Sequence, residues 1–205
     1  MLSVCIGHKN RAFIEHEGTL KPIFRRAFDA LCASIQDCKL VAEIVIADWS
    51  DDTRLGLGPW CASGMIPVRI IPGEGEFTVG GAKNVAGRSA QYGRIFFMDS
   101  DMLTPAAVIL RGLEVIEQGK AFFPFYKRLL PDGKTFEPGG VGTGNVFCLR
   151  EHFKAAGGFK ELPGWADDDT IFHHWFWERD LAVRETIEGF YHLWHPHCGD
   201  DLKQP

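Results

Sequence analysis

The sequence lacks three features that would each have assigned it to a common class: a cysteine pair, a long apolar run and an excess of positive charge. Its six cysteines form no CxxC pair and no zinc-like spacing, so neither a structural zinc site nor a dithiol redox site is indicated. No apolar stretch approaches the roughly 20 residues of a membrane-spanning helix. The net charge of −5, from 22 basic and 27 acidic residues, argues against a protein that neutralises nucleic-acid phosphates. A nucleotide ligand stays open, because a bound metal ion can supply positive charge locally.

The sequence also has no internal repeat, no low-complexity tract and no obvious linker. Residues 1–6 lack the charged start of a signal peptide, and the cysteines are expected to be reduced, as in the cytosol. We therefore expect a cytoplasmic protein that is at most peripheral to a membrane. With 45% hydrophobic and 24% charged residues in a chain of 205, the composition predicts one globular domain with a sizeable core.

Apolar runs alternate with segments of helical period over the first 119 residues. This alternation predicts a mainly parallel sheet in a doubly wound arrangement. The second half is less regular. The predicted strands are 2–6, 42–47, 68–71, 94–98, 121–126, 145–149 and 184–193, and the predicted helices are 22–38, 80–92, 104–118 and 168–179.

The most informative motif is Asp99-Ser100-Asp101, which follows the apolar run 94–98 directly. Such a strand delivers its last residues to the carboxyl edge of a sheet, where α/β proteins bind ligands. On an extended backbone Asp99 and Asp101 point the same way. Two carboxylates without a nearby thiolate suit Mg²⁺ or Mn²⁺, and they leave coordination positions for phosphate oxygens. The motif therefore predicts a divalent-metal site that binds a phosphate-containing ligand.

Two further patterns should reach the same edge. Asp48 ends a predicted strand, where its carboxylate can accept a hydrogen bond from a base imide or a ribose hydroxyl; a turn-forming aspartate is an equal alternative. Gly80-Gly81 opens a helix close to Lys83, a combination that suits a pyrophosphate, although a plain glycine turn explains the same residues. Both patterns favour a nucleotide site without requiring one.

Two clusters of titratable residues occupy the last third of the chain. Asp167-Asp168-Asp169 brings three like charges together, which either helix capping or catalysis would explain. Successive helical residues differ by ~100° in direction, so one or two of these carboxylates can face a site while the third caps the helix. The segment 192–197 holds three histidines, and neutral imidazole is a good Mn²⁺ ligand. A zinc-hydrolase motif such as H-E-x-x-H is absent.

Together these residues resemble a glycosyltransferase of the GT-A fold, family 2 in the broad sense. Segment 43–48 is similar to the family's strand with a base-binding aspartate, Ala82-Lys83-Asn84 to its Ala-Arg-Asn helix start, and 97–101 to its D-x-D metal site. Gly144-Asn145 and segments 157–161 and 164–169 resemble the C-terminal part of β-1,4-galactosyltransferases, chondroitin-polymerase-like enzymes and polypeptide GalNAc-transferases. The resemblance covers nearly the whole chain.

The resemblance implies an α/β fold with a mainly parallel central sheet flanked by helices, in one domain spanning 1–205. Residues 1–103 would bind the nucleotide sugar and 104–205 the acceptor. Asp169 takes the position of the catalytic base and Asp168 that of a carboxylate that also touches the acceptor, with the reverse assignment open because Ala166 replaces the usual glycine. Trp165 would stack on the acceptor sugar. The implied donor residues are His8, Asn10, Arg11, Asp48, Lys83, Asn84, Asp99 and Ser100, and the implied ligands of Mn²⁺ or Mg²⁺ are Asp99, Asp101 and His192, with His195 as the alternative histidine.

The implied activity is metal-dependent transfer of a hexose or N-acetylhexosamine from a nucleotide-diphosphate sugar to a hydroxyl of a glycan or lipid-linked acceptor. UDP is the favoured nucleotide and inversion the favoured outcome, with a retaining transferase as the alternative. A nucleotidyltransferase would have a glycine-rich loop after the first strand, where 7–11 holds one glycine. A non-catalytic sugar-binding domain is disfavoured by the intact carboxylates. Since the acceptor half is small, a homodimer or a partner protein could complete it.

Overall fold

The structure is a computed structural model that describes residues 1–50, 57, 66–138, 143–162 and 167–195. A 9-stranded sheet forms its centre, and a short two-stranded hairpin lies apart from it. The elements of the first half are β1 (Leu2–His8), β2 (Ile14–His16), β3 (Thr19–Lys21), α1 (Ile23–Asp37), β4 (Ala42–Asp48), β5 (Val68–Pro72), α2 (Val79–Ser89), β6 (Arg94–Asp99) and β7 (Met102–Leu103). Those of the second half are α3 (Ala106–Glu117), β8 (Ala121–Leu129), β9 (Phe136–Pro138), β10 (Val146–Leu149), α4 (Arg150–Ala155), α5 (Asp168–Trp177) and β11 (Ala182–Leu193).

The first half of the chain builds the parallel part of the sheet, in the order β5-β4-β1-β6. Its central strands are continuous apolar runs because both faces of the sheet are covered. Successive residues of β1 enter opposite cores: Val4 packs with Phe28 and Val108 on the side of α1 and α3. Cys5 packs with residues of α2 and α5 on the other side. The carboxyl ends of these strands meet at one edge.

The second half extends the sheet as β6-β10-β8-β11-β7. Strand β10 runs antiparallel to both β6 and β8, so β8 regains the direction of β6. Strand β11 is parallel to β8 and antiparallel to β7. The carboxyl ends of β8 and β11 therefore reach the same edge as those of β1, β4 and β6.

The predicted α/β class with a central sheet flanked by helices is confirmed. The parallel order applies to the first half, whereas the second half is mixed. The sequence analysis missed the β2–β3 hairpin, whose turn residues Glu17 and Gly18 both have positive φ. That turn geometry favours Asn-Gly or Asp-Gly, so Glu-Gly carries little signal. It also missed α4, a helix of 6 residues directly after a strand.

Among the described residues, Cys5, Cys32, Cys38 and Cys148 have free thiols, and no helix there combines the length and the apolar character needed to cross a bilayer.

Candidate functional site

Asp101, His192 and His195 form a compact group at the carboxyl edge of the sheet. Each offers one ligand atom, and these atoms lie within 4.8 Å of one another. Asp101 follows β6 and is 2% exposed. His192 is the residue before Leu193, the last residue of strand β11. The backbone N–H of Leu193 donates to the Asp101 carbonyl at 2.8 Å. Strand register thus brings residues distant in sequence together.

The donor set of this group fits a divalent cation. His195 Nε2 lies 3.1 Å from Asp101 Oδ2, and His192 Nε2 lies 3.6 Å from Asp101 Oδ1. Asp101 Oδ1 is buried without a hydrogen-bond partner, although buried polar atoms normally have one. A carboxylate oxygen and two imidazole nitrogens are ligands that Mn²⁺ accepts. The three residues therefore have both the chemistry and the unsatisfied acceptor of a metal site. We call Asp101, His192 and His195 the metal-fitting group.

The electrostatics keep Asp101 and His192 in the forms that bind a metal. Burial raises the pKa of Asp101, but the imidazoles of His192 and His195 and the guanidinium of Arg11 outweigh it, so this pKa lies well below its usual value. Burial lowers the pKa of His192. Arg11 Nη1 lies 3.0 Å from both Asp101 Oδ2 and His195 Nε2. An anionic carboxylate beside a neutral imidazole is the state that binds a metal.

A second cluster, made of Lys83, Asp99, Asp169 and Gly144, lies next to the first. Lys83 is 1% exposed and its ammonium donates to Asp169 Oδ1 at 2.9 Å and to the Gly144 carbonyl at 3.0 Å. It also pairs with Asp99 Oδ1 at 3.0 Å. A Cβ on Gly144 would lie 2.6 Å from Asp169 Oδ2 and 2.7 Å from Asp99 Oδ2. We call these four residues the lysine cluster. Position 144 accommodates only glycine, because any side chain there would collide with the carboxylates.

Asp169 is the titratable member of the lysine cluster. Burial and the neighbouring charge of Asp99 raise its pKa to about 6, although Lys83 opposes the shift. Its side chain remains 24% exposed. A carboxylate with a pKa near neutrality that is open to a ligand has the properties of a general base.

Asp168 has a different environment. It is 5% exposed, and its carboxylate accepts hydrogen bonds from the backbone N–H groups of Gly80 and Asp169. Thr78 Oγ1 accepts from Gly81 N–H at 2.9 Å, so the start of α2 is already capped by side chains. The expected pyrophosphate contact at Gly80-Gly81 stays a prediction. Asp168 thus has the contacts of a capping residue, while Asp169 is turned to the lysine cluster.

Asp99 and Asp101 have different partners in the structure, so the sharing of one ion by both carboxylates stays a prediction. The extended backbone of β6 ends at Asp99 and the chain turns at Ser100, which is buried there. The alternation rule for strands therefore stops applying. Asn145 brackets Asp99, accepting from its backbone N–H at 3.0 Å and donating to its Oδ2 at 2.9 Å. Asp99 belongs to the lysine cluster and not to the metal-fitting group.

Lys83 and Asn84, expected to contact the donor, are turned inward. The three hydrogens of the Lys83 ammonium are matched by the three acceptors of its cluster. Asn84 Nδ2 donates to the Phe159 carbonyl and to Glu161 Oε1, each at 2.9 Å, and Asn84 Oδ1 accepts from Phe159 N–H. Both side chains therefore connect α2 to later segments, and neither presents a polar atom at the edge of the sheet.

Two of the residues expected to bind the donor, His8 and Asp48, lie at the carboxyl ends of β1 and β4. Asp48 Oδ1 accepts from His8 Nδ1 at 2.9 Å and from the Ser50 hydroxyl at 2.6 Å. His8 is buried behind Asp48, and the backbone N–H of Asn10 donates to Ser50 Oγ. The described residues donate no hydrogen bond to Asp48 Oδ2, which leaves one oxygen for a ligand. Trp165, the expected acceptor platform, lies outside the described residues.

Four contributors were assigned no role from the sequence: Ser50, Asn145, Tyr126 and Arg128. The Tyr126 ring stacks on His192 with centroids 5.4 Å apart, and Arg128 is the Cα partner of His192 in the pairing of β8 with β11. Gly144-Asn145 carried a recognisable signal through its resemblance. Tyr126 and Arg128 carried none, because β8 reads as an ordinary strand.

The comparisons with known proteins agree with this geometry. No protein-family model matches the sequence. A stretch of 64 residues is 36% identical to chondroitin sulfate N-acetylgalactosaminyltransferase 2 of Mus musculus, and equally to that of Homo sapiens, covering 30% of this chain and 12% of each relative.

Solved structures match over nearly the whole chain. Residues 1–349 of TarS from S. aureus, in complex with UDP-GlcNAc, superpose with a TM-score of 0.71 at 15% identity, covering 95% of this chain and 59% of TarS 1–349. GalNAc-T7 with UDP, GalNAc and Mn²⁺ gives 0.69 at 14% identity, covering 96% and 44% of the two chains. This chain thus spans less than two thirds of each protein described here. The likeness demonstrates a shared fold.

Proposed function

We propose that this chain, which has the GT-A fold of glycosyltransferases, transfers a hexose or N-acetylhexosamine from a nucleotide-diphosphate sugar to an acceptor hydroxyl. The observation that carries the proposal is the adjacency of two groups at one sheet edge. Asp101 belongs to a metal-fitting group and Asp99, two residues earlier, to the cluster that holds Asp169. A leaving-group site and a base site side by side are what glycosyl transfer needs.

Metal dependence is supported by the donor set of the first group. A Mn²⁺ or Mg²⁺ ion held by Asp101, His192 and His195 would neutralise the charge that develops on a diphosphate leaving group. The neutral imidazole of His192 and the anionic carboxylate of Asp101 are ready for such an ion. The chains related by fold include one solved with UDP and Mn²⁺, which supports the same chemistry here.

Asp169 is the proposed base. Its carboxylate accepts the proton of the acceptor hydroxyl while the acceptor oxygen forms a bond to C1 of the sugar and the bond from C1 to the diphosphate oxygen breaks. Attack from the face opposite the leaving group inverts C1 in a single displacement, without a covalent enzyme intermediate. Lys83 keeps Asp169 oriented through its 2.9 Å hydrogen bond and balances its charge.

The donor is proposed to lie over β1 and β4. Asp48 Oδ2 would accept from the base, and UDP is favoured because uracil offers an imide N–H. Arg11, held beside Asp101 and His195, is available to the diphosphate. Residues 1–103 would thus hold the donor and 104–205 the acceptor, a glycan or lipid-linked molecule, with a second copy or a partner protein extending the acceptor half.

A thermal-shift and calorimetry panel of nucleoside diphosphates, each with and without Mn²⁺, tests the proposal. We expect UDP to stabilise and bind the protein only with the metal. A chain that binds no nucleoside diphosphate in either condition would contradict the proposal. With an acceptor in hand, NMR analysis of the product anomer separates inversion from the retaining alternative.

A further inference from the structure

Arg128 lies beside the metal-fitting group without a carboxylate partner. It is the Cα partner of His192 in the β8–β11 pairing, and neighbouring strands lie about 4.8 Å apart. Tyr126, two residues earlier in β8 and therefore on the same face of the strand, stacks its ring on His192. The guanidinium therefore lies on the same side of the sheet as the His192 imidazole.

The bonding of Arg128 is incomplete. Its Nε is buried and has no hydrogen-bond partner, and within the described part of the chain no acidic side chain pairs with it. Arg69, Arg94 and Arg111 each pair with a glutamate. The buried Nε atoms of Arg150 and Arg184 also have no hydrogen-bond partner, but of these three arginines it is Arg128 that pairs across the strands with a residue of the metal-fitting group. A partly buried guanidinium without an anion is costly, so such a residue indicates a ligand that supplies the anion.

We propose that Arg128 binds the diphosphate of the donor beside His192 of the metal-fitting group. This inference rests on the proposed function and adds a residue to it. Arg11 contacts Asp101 and His195, while Arg128 is paired across the strands with His192, so each histidine of the group has an arginine beside it. The charges of the two arginines, with that of a divalent ion, exceed the single negative charge of Asp101 and match an anionic ligand.

A diphosphate suits this position better than a neutral sugar. The planar guanidinium fork pairs with two phosphate oxygens at once. A phosphate oxygen bound beside His192 would lie within reach of a side chain one strand away. The Arg128 Nε, which has no hydrogen-bond partner, is available to one of these oxygens.

Calorimetry of UDP binding in the presence of Mn²⁺, compared across variants, tests the inference. Arg128→Met should weaken UDP binding by roughly 10- to 100-fold, the range for a lost charge-assisted hydrogen bond, and Arg128→Lys should lose less. Lys127→Met is the matched control. It removes the same charge from the neighbouring residue, which pairs with Glu188 on the surface, and should leave UDP affinity unchanged.

Binding of Mn²⁺ alone separates a ligand contact from a structural role. We expect Arg128→Met to bind Mn²⁺ at least as well as the parent, because it removes a nearby positive charge. Equal loss of Mn²⁺ and UDP affinity, or unchanged UDP affinity in Arg128→Met, would overturn the inference. If that variant does not fold, Arg128→Lys decides in the same way. A parent chain that binds no UDP contradicts the proposed function instead, so the two failures are distinguishable.

Discussion

Asp99 and Asp101 are separated by one residue yet belong to environments of opposite character. Asp101 faces imidazoles and a guanidinium, which hold its pKa well below the usual value. Asp99 shares Lys83 with Asp169, and its charge helps to raise the pKa of Asp169. The turn at Ser100 separates a group suited to a cation from a cluster suited to a proton.

The difference shows how one sheet edge supports two chemistries. In the metal-fitting group, the partners of the carboxylate are themselves metal ligands, so an ion can replace their mutual contacts. In the lysine cluster, the shared partner is a buried ammonium whose hydrogens are all used, so no ion is needed. A carboxylate that competes with another for one lysine holds a proton more readily. The following variants test this division.

Replacing Asp101 should have the largest effect. Asp101→Ala removes the carboxylate of the metal-fitting group, and we expect Mn²⁺-dependent UDP binding to become undetectable in calorimetry while the fold persists. Asp99→Ala, two residues away, is the matched control and should keep metal-dependent binding. Equal loss in both variants would mean that the two groups act as one metal site.

Replacing Asp169 should slow the reaction without weakening the donor. General-base catalysis typically contributes 10²- to 10⁴-fold, so Asp169→Asn should lower kcat by about that factor with little change in UDP affinity. Asp168→Asn should mainly lower the free energy of unfolding, by ~1 kcal/mol, since the Asp168 carboxylate caps α2. Transfer at the parent rate in both variants would assign the whole acidic triplet to capping.

The two histidines should have smaller, comparable effects. His192→Ala and His195→Ala should each weaken Mn²⁺ binding by about 10- to 100-fold, the scale seen when support of a metal site is lost. His174→Ala, an exposed histidine of α5, should change nothing. If only one of the pair matters in a Mn²⁺ titration, the other is a neighbour and not a ligand.

The parallel half of the fold could be predicted because buried strands are continuous apolar runs that end at recognisable polar residues. Asp48 and Asp101 were identified for this reason. The pairing of His192 with Met102 lay beyond local patterns, since it depends on an antiparallel register between β7 and β11. The resemblance pointed to the histidines, and only the register explains why both reach Asp101.

The partners of Lys83 and Arg128 could not be predicted. A lysine after Gly-Gly looks like a phosphate ligand. The burial of Lys83 against Gly144 depends on tertiary contacts, which the local sequence does not indicate. Arg128 follows an exposed Lys127 in a strand, where either residue could be the one that faces inward. One shift of register would exchange them.

The smallest expected effect concerns pH. Asp169 must be unprotonated to accept a proton, and its pKa is raised to about 6, so kcat should fall as the pH drops below about 6. Asp99→Asn removes the like charge that raises this pKa. It also leaves Asp169 as the one carboxylate of the lysine cluster that pairs with the Lys83 ammonium. Both changes lower the pKa of Asp169, so the acid limb of the kcat profile should move to lower pH. At pH 5 the variant should keep a larger fraction of its own plateau rate than the parent, by less than about tenfold.

The readout is the ratio of the rates that one variant shows at two pH values, because any uniform loss of rate from disturbing Asn145 cancels in that ratio. A limb that stays in place, or moves to higher pH, would show that Asp99 and Asp169 do not share the lysine during turnover.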